Sequence, residues 1–179
     1  MNIKISDRDD AQRLLDFYHE NRTHLIPWEP ERPDYFYTSE YWDEQIETRE
    51  AEMLVGRALF FIALNDEGKM IASCNLTNIV HGVFQAGYLG YAVAKAYEGK
   101  GVMKSLCQHV IRHAFDELKL NRIMANYLPH NERSARLLES LGFEREGYAR
   151  RYLKIHDRWQ DHVLTALVNP NSSDNGFNE

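Results

Sequence analysis

The chain has 179 residues, 44% of them hydrophobic, enough for one domain with a substantial core. Lys and Arg total 21 against 27 Asp and Glu, and the resulting charge of −6 argues against a phosphate-reading surface and so against a direct nucleic-acid site. With no run of about 18 apolar residues, no signal-peptide pattern, and two cysteines lacking CxxC spacing, the composition excludes a membrane span, a disulfide scaffold and a zinc finger; a reduced cytoplasmic protein is expected.

Ile3 and Ile5 suggest a short strand, and Ser6 and Asp7 offer a cap to a first helix in which Ala11, Leu14, Leu15 and Tyr18 recur at helical spacing. Residues 25–37 hold Pro27, Pro30 and Pro33 among Trp28, Tyr35 and Phe36, a composition that blocks regular structure while exposing aromatic surface. A second helix is expected over 39–55, with Tyr41, Trp42, Ile46, Met53 and Leu54 inward. Its outer face is acidic, carrying Glu40, Asp43, Glu44, Glu47, Glu50 and Glu52. Apolar runs at 59–64 and 70–76 flank a turn at 65–69 and read as a hairpin, followed by a strand at 86–93.

From Gly101 to Leu118, Met103, Leu106, Cys107, Val110, Ala114 and Leu118 mark a core-facing helix. A strand at 122–127, a short helix capped by Asn131 and ended by Gly142, and strands at 143–155 and 159–167 complete an α+β domain of residues 1–168, a mostly antiparallel sheet flanked by helices. The polar tail 169–179 is expected to be disordered.

Between the strand ending near Val93 and the long helix lies Glu98-Gly-Lys-Gly-Val-Met103. Two glycines permit close backbone approach of a ligand, the helix start offers free amides to an anion, and Lys100 and Lys104 add positive charge. An ordinary strand-to-helix turn would read the same way. Neither a Walker loop nor a dinucleotide fingerprint is present, since Lys104-Ser105 follows Met103 and Lys104 occupies the third glycine position.

The order of Gly87-Tyr-Leu-Gly-Tyr-Ala-Val93, Gly99-Lys-Gly-Val-Met103, Asn131-Glu-Arg-Ser134 and Leu137-Leu-Glu-Ser-Leu-Gly-Phe143 resembles the GCN5-related N-acetyltransferases (GNAT) over nearly the whole chain. Leu25-Ile-Pro-Trp-Glu-Pro30, Met124-Ala-Asn-Tyr-Leu-Pro-His-Asn131 and Trp159-Gln-Asp-His162 are similar to its RimJ-type ribosomal-protein-alanine branch.

The resemblance implies splayed strands forming an acetyl-CoA cleft. Leu89, Tyr91, Ala92 and Val93 would pair with the pantetheine arm, and Glu98, Gly99, Lys100, Gly101, Val102, Met103 and Lys104 would meet the pyrophosphate. Asn126, Asn131 and Ser134 would line the opposite wall, and Trp28, Glu29 and Tyr88 would meet the substrate. The family's loop usually reads Gln/Arg-x-x-Gly-x-Gly/Ala; Glu98 and Met103 depart from it, and Glu98 would set a like charge beside the cofactor.

The reaction the resemblance implies is direct attack of an amine on the thioester, with the N-terminal α-amine of a ribosomal protein, alanine in this branch, as acceptor and the ribosome or its assembly intermediates as a further partner. Leu138 stands where many relatives carry a proton-donating tyrosine; likeness to the RimL-type branch makes Ser134, one turn earlier, the preferred thiolate partner, with simple helix capping as its other reading. Glu29 is the best candidate base, although an α-amine of pKa ~8 does not require a strong one. His109 and His113 share a helix face without a third ligand, so no metal is expected. Asp161 and His162 fall on opposite faces of their strand and read as structural or substrate-lining. A small-amine acetyltransferase and a non-catalytic, cofactor-binding assembly factor remain the alternatives.

Overall fold

The computed structural model describes residues 1–172. Its strands are β1 (Asn2–Ile5), β2 (Leu59–Leu64), β3 (Met70–Val80), β4 (Ala86–Val93), β5 (Arg122–Tyr127), β6 (Glu144–Ile155) and β7 (Arg158–Val168), forming one sheet in the order β1-β2-β3-β4-β5-β7-β6. Every pairing is antiparallel except β4 with β5. That parallel pairing joins only Ala86, Gly87 and Tyr88 to Arg122, Ile123 and Met124; beyond them the strands part while β5 stays bonded to β7. The sheet therefore opens into a V at its centre.

Alternation along the strands sorts side chains onto two faces. One face carries Cys74, Leu76, Leu89, Ile123 and Ala125 and packs under α4 (Val102–Arg112) and α5 (Glu132–Ser140), where Leu106, Cys107, Val110 and Leu138 are buried. The other carries Ile62, Leu64 and Ala92 beneath α1 (Ala11–Glu20) and α3 (Ser39–Leu54), which contribute Leu14, Phe17, Tyr18, Trp42 and Ile46. Cys74 and Cys107 are both buried free thiols, with 3.9 Å between their sulfurs.

Local chemistry explains the helix starts. Asp7 accepts from the Asp9 amide while Asp10 accepts from the Asp7 amide, a reciprocal cap before α1. Asp10 is fully buried, with Lys4 Nζ at 2.8 Å and Arg13 Nη1 at 2.7 Å. Thr38 caps α3 and Asn131 caps α5.

Four expectations need correction. Residues 25–37 are not irregular throughout: α2 (Arg22–Leu25) and single turns at Ile26–Trp28 and Asp34–Tyr37 fold the segment compactly, because Pro33 precedes the last turn, where its fixed φ is tolerated. Leu54 is 88% exposed, since α3 ends there and its last turn extends past the sheet. The long helix widens at His113–Glu117 into a π-turn, with the Leu118 amide reaching back to the His113 carbonyl. The polar tail does not start at Asn169, whose side-chain amide donates to the Leu120 carbonyl at 3.0 Å. The rest of the expected tail, 173–179, lies outside the described residues. No described helix is long and apolar enough to cross a membrane.

Candidate active site

Where β4 and β5 part, a cleft of about 960 Å³ passes through the sheet. On the side of α4 and α5 it is lined by Leu89, Tyr91, Val93, the turn before α4, Tyr127, Asn131, Ser134 and Leu137. On the opposite side it is lined by Tyr18, Trp28, Glu29, Arg32, Ser73, Asn75, Asn126 and His162. The register explains this division: Ser73 pairs with Ala92 and Asn75 with Gly90, on the face turned towards α1.

The turn before α4 has open space and unpaired backbone amides. Gly99 and Gly101 have φ of +69° and +77°, and a Cβ at either position would meet open space. Gly101 is the N-cap of an eleven-residue helix and supplies no side-chain cap, so the first amides of α4 face outward without an intrahelical partner. Glu98 does not stand as an isolated charge there: Arg133 of α5 donates to it, and His24 Nε2 lies 3.4 Å away. The like charge expected beside the cofactor is thus neutralised by an arginine that no spacing rule connects to it.

Ser134 sits in the first turn of α5, and Asn131 Oδ1 accepts from its amide at 3.1 Å. Asn131 is therefore the cap, and the Ser134 hydroxyl is left for other work. Burial pushes the Tyr91 phenol far up, with a hydrogen bond to Ser134 offsetting part of the shift, so this hydroxyl stays protonated beside Ser134.

Across the sheet, burial holds the Glu29 carboxyl above the ordinary glutamate range, and Arg32, 3.6 Å away, offsets only part of that rise. The loop that carries Glu29 is held at two points. The Trp28 and His130 rings lie 5.7 Å apart, and His156 Nε2 is 2.7 Å from the Ile26 carbonyl. A smaller cavity of about 200 Å³ adjoins the cleft here and shares Tyr18, Glu29 and Arg32 with it.

Of the residues expected at a site, Trp28, Glu29, Leu89, Tyr91, Ala92, Val93, Glu98, Gly99, Gly101, Val102, Met103, Lys104, Asn126, Asn131 and Ser134 all line this cleft. Lys100 and Tyr88 do not. Lys100 leans over the Tyr97 ring, and Tyr88 packs with Ala86, Met124 and Ala166. His109 and His113 both turn their rings against Phe61. Asp161 accepts from Tyr148 and from the Arg151 amide, holding a kink in β6, while His162 on the opposite face reaches the cleft. Sequence reasoning missed Tyr18, Arg32, Ser73, Asn75 and Arg133, whose arrival depends on register and loop packing rather than on a motif.

Comparison with known proteins agrees with this geometry. The acetyltransferase (GNAT) domain family matches residues 4–144. The chain is 44% identical to the [ribosomal protein uS5]-alanine N-acetyltransferase of Escherichia coli K12, over 93% of this chain and 86% of that one. Among solved structures, the ribosomal-protein-S5-alanine acetyltransferase of Vibrio fischeri superposes with a TM-score of 0.92 at 35% identity, covering 96% of this chain and 94% of the other. Mycobacterium smegmatis RimJ in complex with CoA-disulfide gives 0.87 at 28% identity, with 93% and 80% covered. A chain with this family match, this parted sheet and this glycine turn belongs to the GNAT acetyltransferases.

Proposed function

We propose that the chain transfers the acetyl group of acetyl-CoA to the N-terminal α-amine of a ribosomal protein, with alanine as the favoured first residue, in the cytoplasm. The observation that carries this reading is the cleft itself. It joins an anion-binding helix start on one face of the sheet to an acidic, aromatic loop on the other. The residues fit acetyl-CoA: α4 offers unpartnered amides for the pyrophosphate, and Leu89 to Val93 offer strand backbone, free of β5, for the pantetheine amides. The acceptor assignment follows the relatives, which are named for the alanine of uS5 or S5.

In this reading Glu29 seats the incoming ammonium opposite the thioester. The free amine attacks the carbonyl carbon, the C–N bond forms and the C–S bond breaks. Ser134 gives its hydroxyl proton to the departing sulfur and recovers one from solvent. The acidic face of α3 draws in a basic N-terminal tail.

The test compares kcat/KM for peptides beginning with Ala, Ser or Leu, each with a basic or neutral continuation, at low and high salt. A preference for Ala, with a salt-sensitive advantage for basic peptides, is the expected result. Faster turnover of small amines would move the chain to a small-molecule acceptor. Cofactor binding without turnover of any amine would make it a binding module.

A further inference from the structure

We propose that His162 is the group that takes the proton from the acceptor ammonium, an assignment that rests on the amine-acetylating reading above. His162 lies on β7, is 4% exposed, and lines the cleft on the face of Glu29, opposite the face of Ser134. Its Nδ1 is 3.3 Å from the Gln160 carbonyl, which assigns the ring proton to Nδ1 and leaves the lone pair on Nε2. Nε2 makes no hydrogen bond among the described residues. The ring is braced by Tyr152, 5.2 Å away on β6, whose hydroxyl in turn accepts from Asn126 of β5 at 2.8 Å.

The surrounding charges leave the imidazole available as a base. Burial holds it below the ordinary histidine range, outweighing the raising effects of the Gln160 carbonyl and of Asp161, which points to the other face. From β5 and β6 it faces the neutral Asn126 and Tyr152. Across the cleft stand Glu29 and Arg32, with His24, Glu98, Lys104, Arg133 and Arg136 around the remaining wall. Glu29 is held by Arg32 and suits the seating of a cation. A neutral imidazole is better matched in proton affinity to an amine of pKa ~8.

The step balances. The ammonium gives one proton to Nε2, which passes it to solvent, and the nitrogen lone pair attacks the thioester carbonyl. The second N–H proton leaves for solvent as the C–S bond breaks, sulfur takes the Ser134 proton, and solvent returns one proton to Ser134. One proton is released per turnover. The sheet thereby separates the two proton movements, with deprotonation on one face and thiolate protonation on the other.

His162→Asn retains a donor near the Gln160 carbonyl but removes the Nε2 lone pair. With an alanine peptide, kcat/KM at pH 7 should fall about 10- to 1,000-fold. The deficit should shrink as pH rises through the amine pKa of ~8, where free amine needs no base. Acetyl-CoA affinity by calorimetry and the melting temperature should stay close to those of the unmodified chain. An unchanged rate, or the same loss at every pH, would overturn the assignment. If Glu29→Gln instead acquires the dependence on free amine while His162→Asn does not, the proton acceptor is Glu29. Should the unmodified chain acetylate some other amine and no alanine peptide, the acceptor reading fails, and the same comparison with that amine still decides the role of His162.

Discussion

Arg133 donates to the Glu98 carboxylate across the mouth of the cleft, tying the first turn of α5 to the glycine turn before α4. The pair replaces the neutral or basic residue usual at the Glu98 position, and it makes the two partners opposite in effect. Glu98→Gln removes a negative charge and frees Arg133 for phosphate, so the Kd for acetyl-CoA should fall by about 3- to 10-fold at low salt. Arg133→Ala leaves Glu98 uncompensated and should raise Kd by a similar factor. Calorimetry at two salt concentrations checks both signs; equal and same-direction shifts would remove the pair from cofactor recognition.

Gly101→Asp should weaken acetyl-CoA binding by about tenfold or more, equivalent to about 1.4 kcal/mol. At this N-cap the introduced carboxylate would fill the place proposed for the pyrophosphate and repel it. The positive φ adds strain for any side chain. Unchanged affinity in a folded variant would place the phosphates elsewhere.

Ser134→Ala should lower kcat by about 10- to 1,000-fold with a modest change in KM, because Asn131 already caps α5 and the hydroxyl is not needed there. Normal turnover by a variant that still binds acetyl-CoA would reduce Ser134 to packing.

Asp10 supplies an acid-sensitive part of the stability. Burial pushes its carboxyl up, but hydrogen bonds from Lys4, the Asp7 amide and Arg13 outweigh this and hold it below the ordinary aspartate range. A depressed folded pKa means the stabilisation is fully present above the unfolded value near 3.9 and is lost as pH falls through the folded value. Asp10→Asn should cost about 2–3 kcal/mol at pH 7, and denaturant titrations should show the difference shrinking towards pH 2.

Elements with a strong pattern were legible: the helices seeded by Leu14 and Leu106 and the strands of the described residues appear where 3.6-residue spacing, alternation or apolar runs put them, although β3 continues to Val80, past the apolar run that ends at Leu76. The glycine turn and Ser134 were legible through motif order. Leu54 was not, because periodicity says which face a residue is on and not where the neighbouring element stops. Arg133 reaches Glu98 only because α5 lies across the cleft, a contact 35 residues apart in the chain. His162 could be assigned to one side of its strand from alternation, but which side faces the cleft depends on the β5 and β6 registers.

The parting of β4 from β5 leaves the sheet as two panels hinged on a seam of three residue pairs. A pantetheine arm laid along β4 would act as a substitute strand, completing a ladder that the polypeptide leaves unfinished. Substrate binding and folding would then draw on the same hydrogen bonds. At a hundredfold excess over Kd, a ligand specific for the folded state adds about 2.7 kcal/mol. The amides of Leu89 to Val93 should accordingly be the ones whose hydrogen exchange slows most on acetyl-CoA binding, so that the chain is sturdiest when it is charged for catalysis.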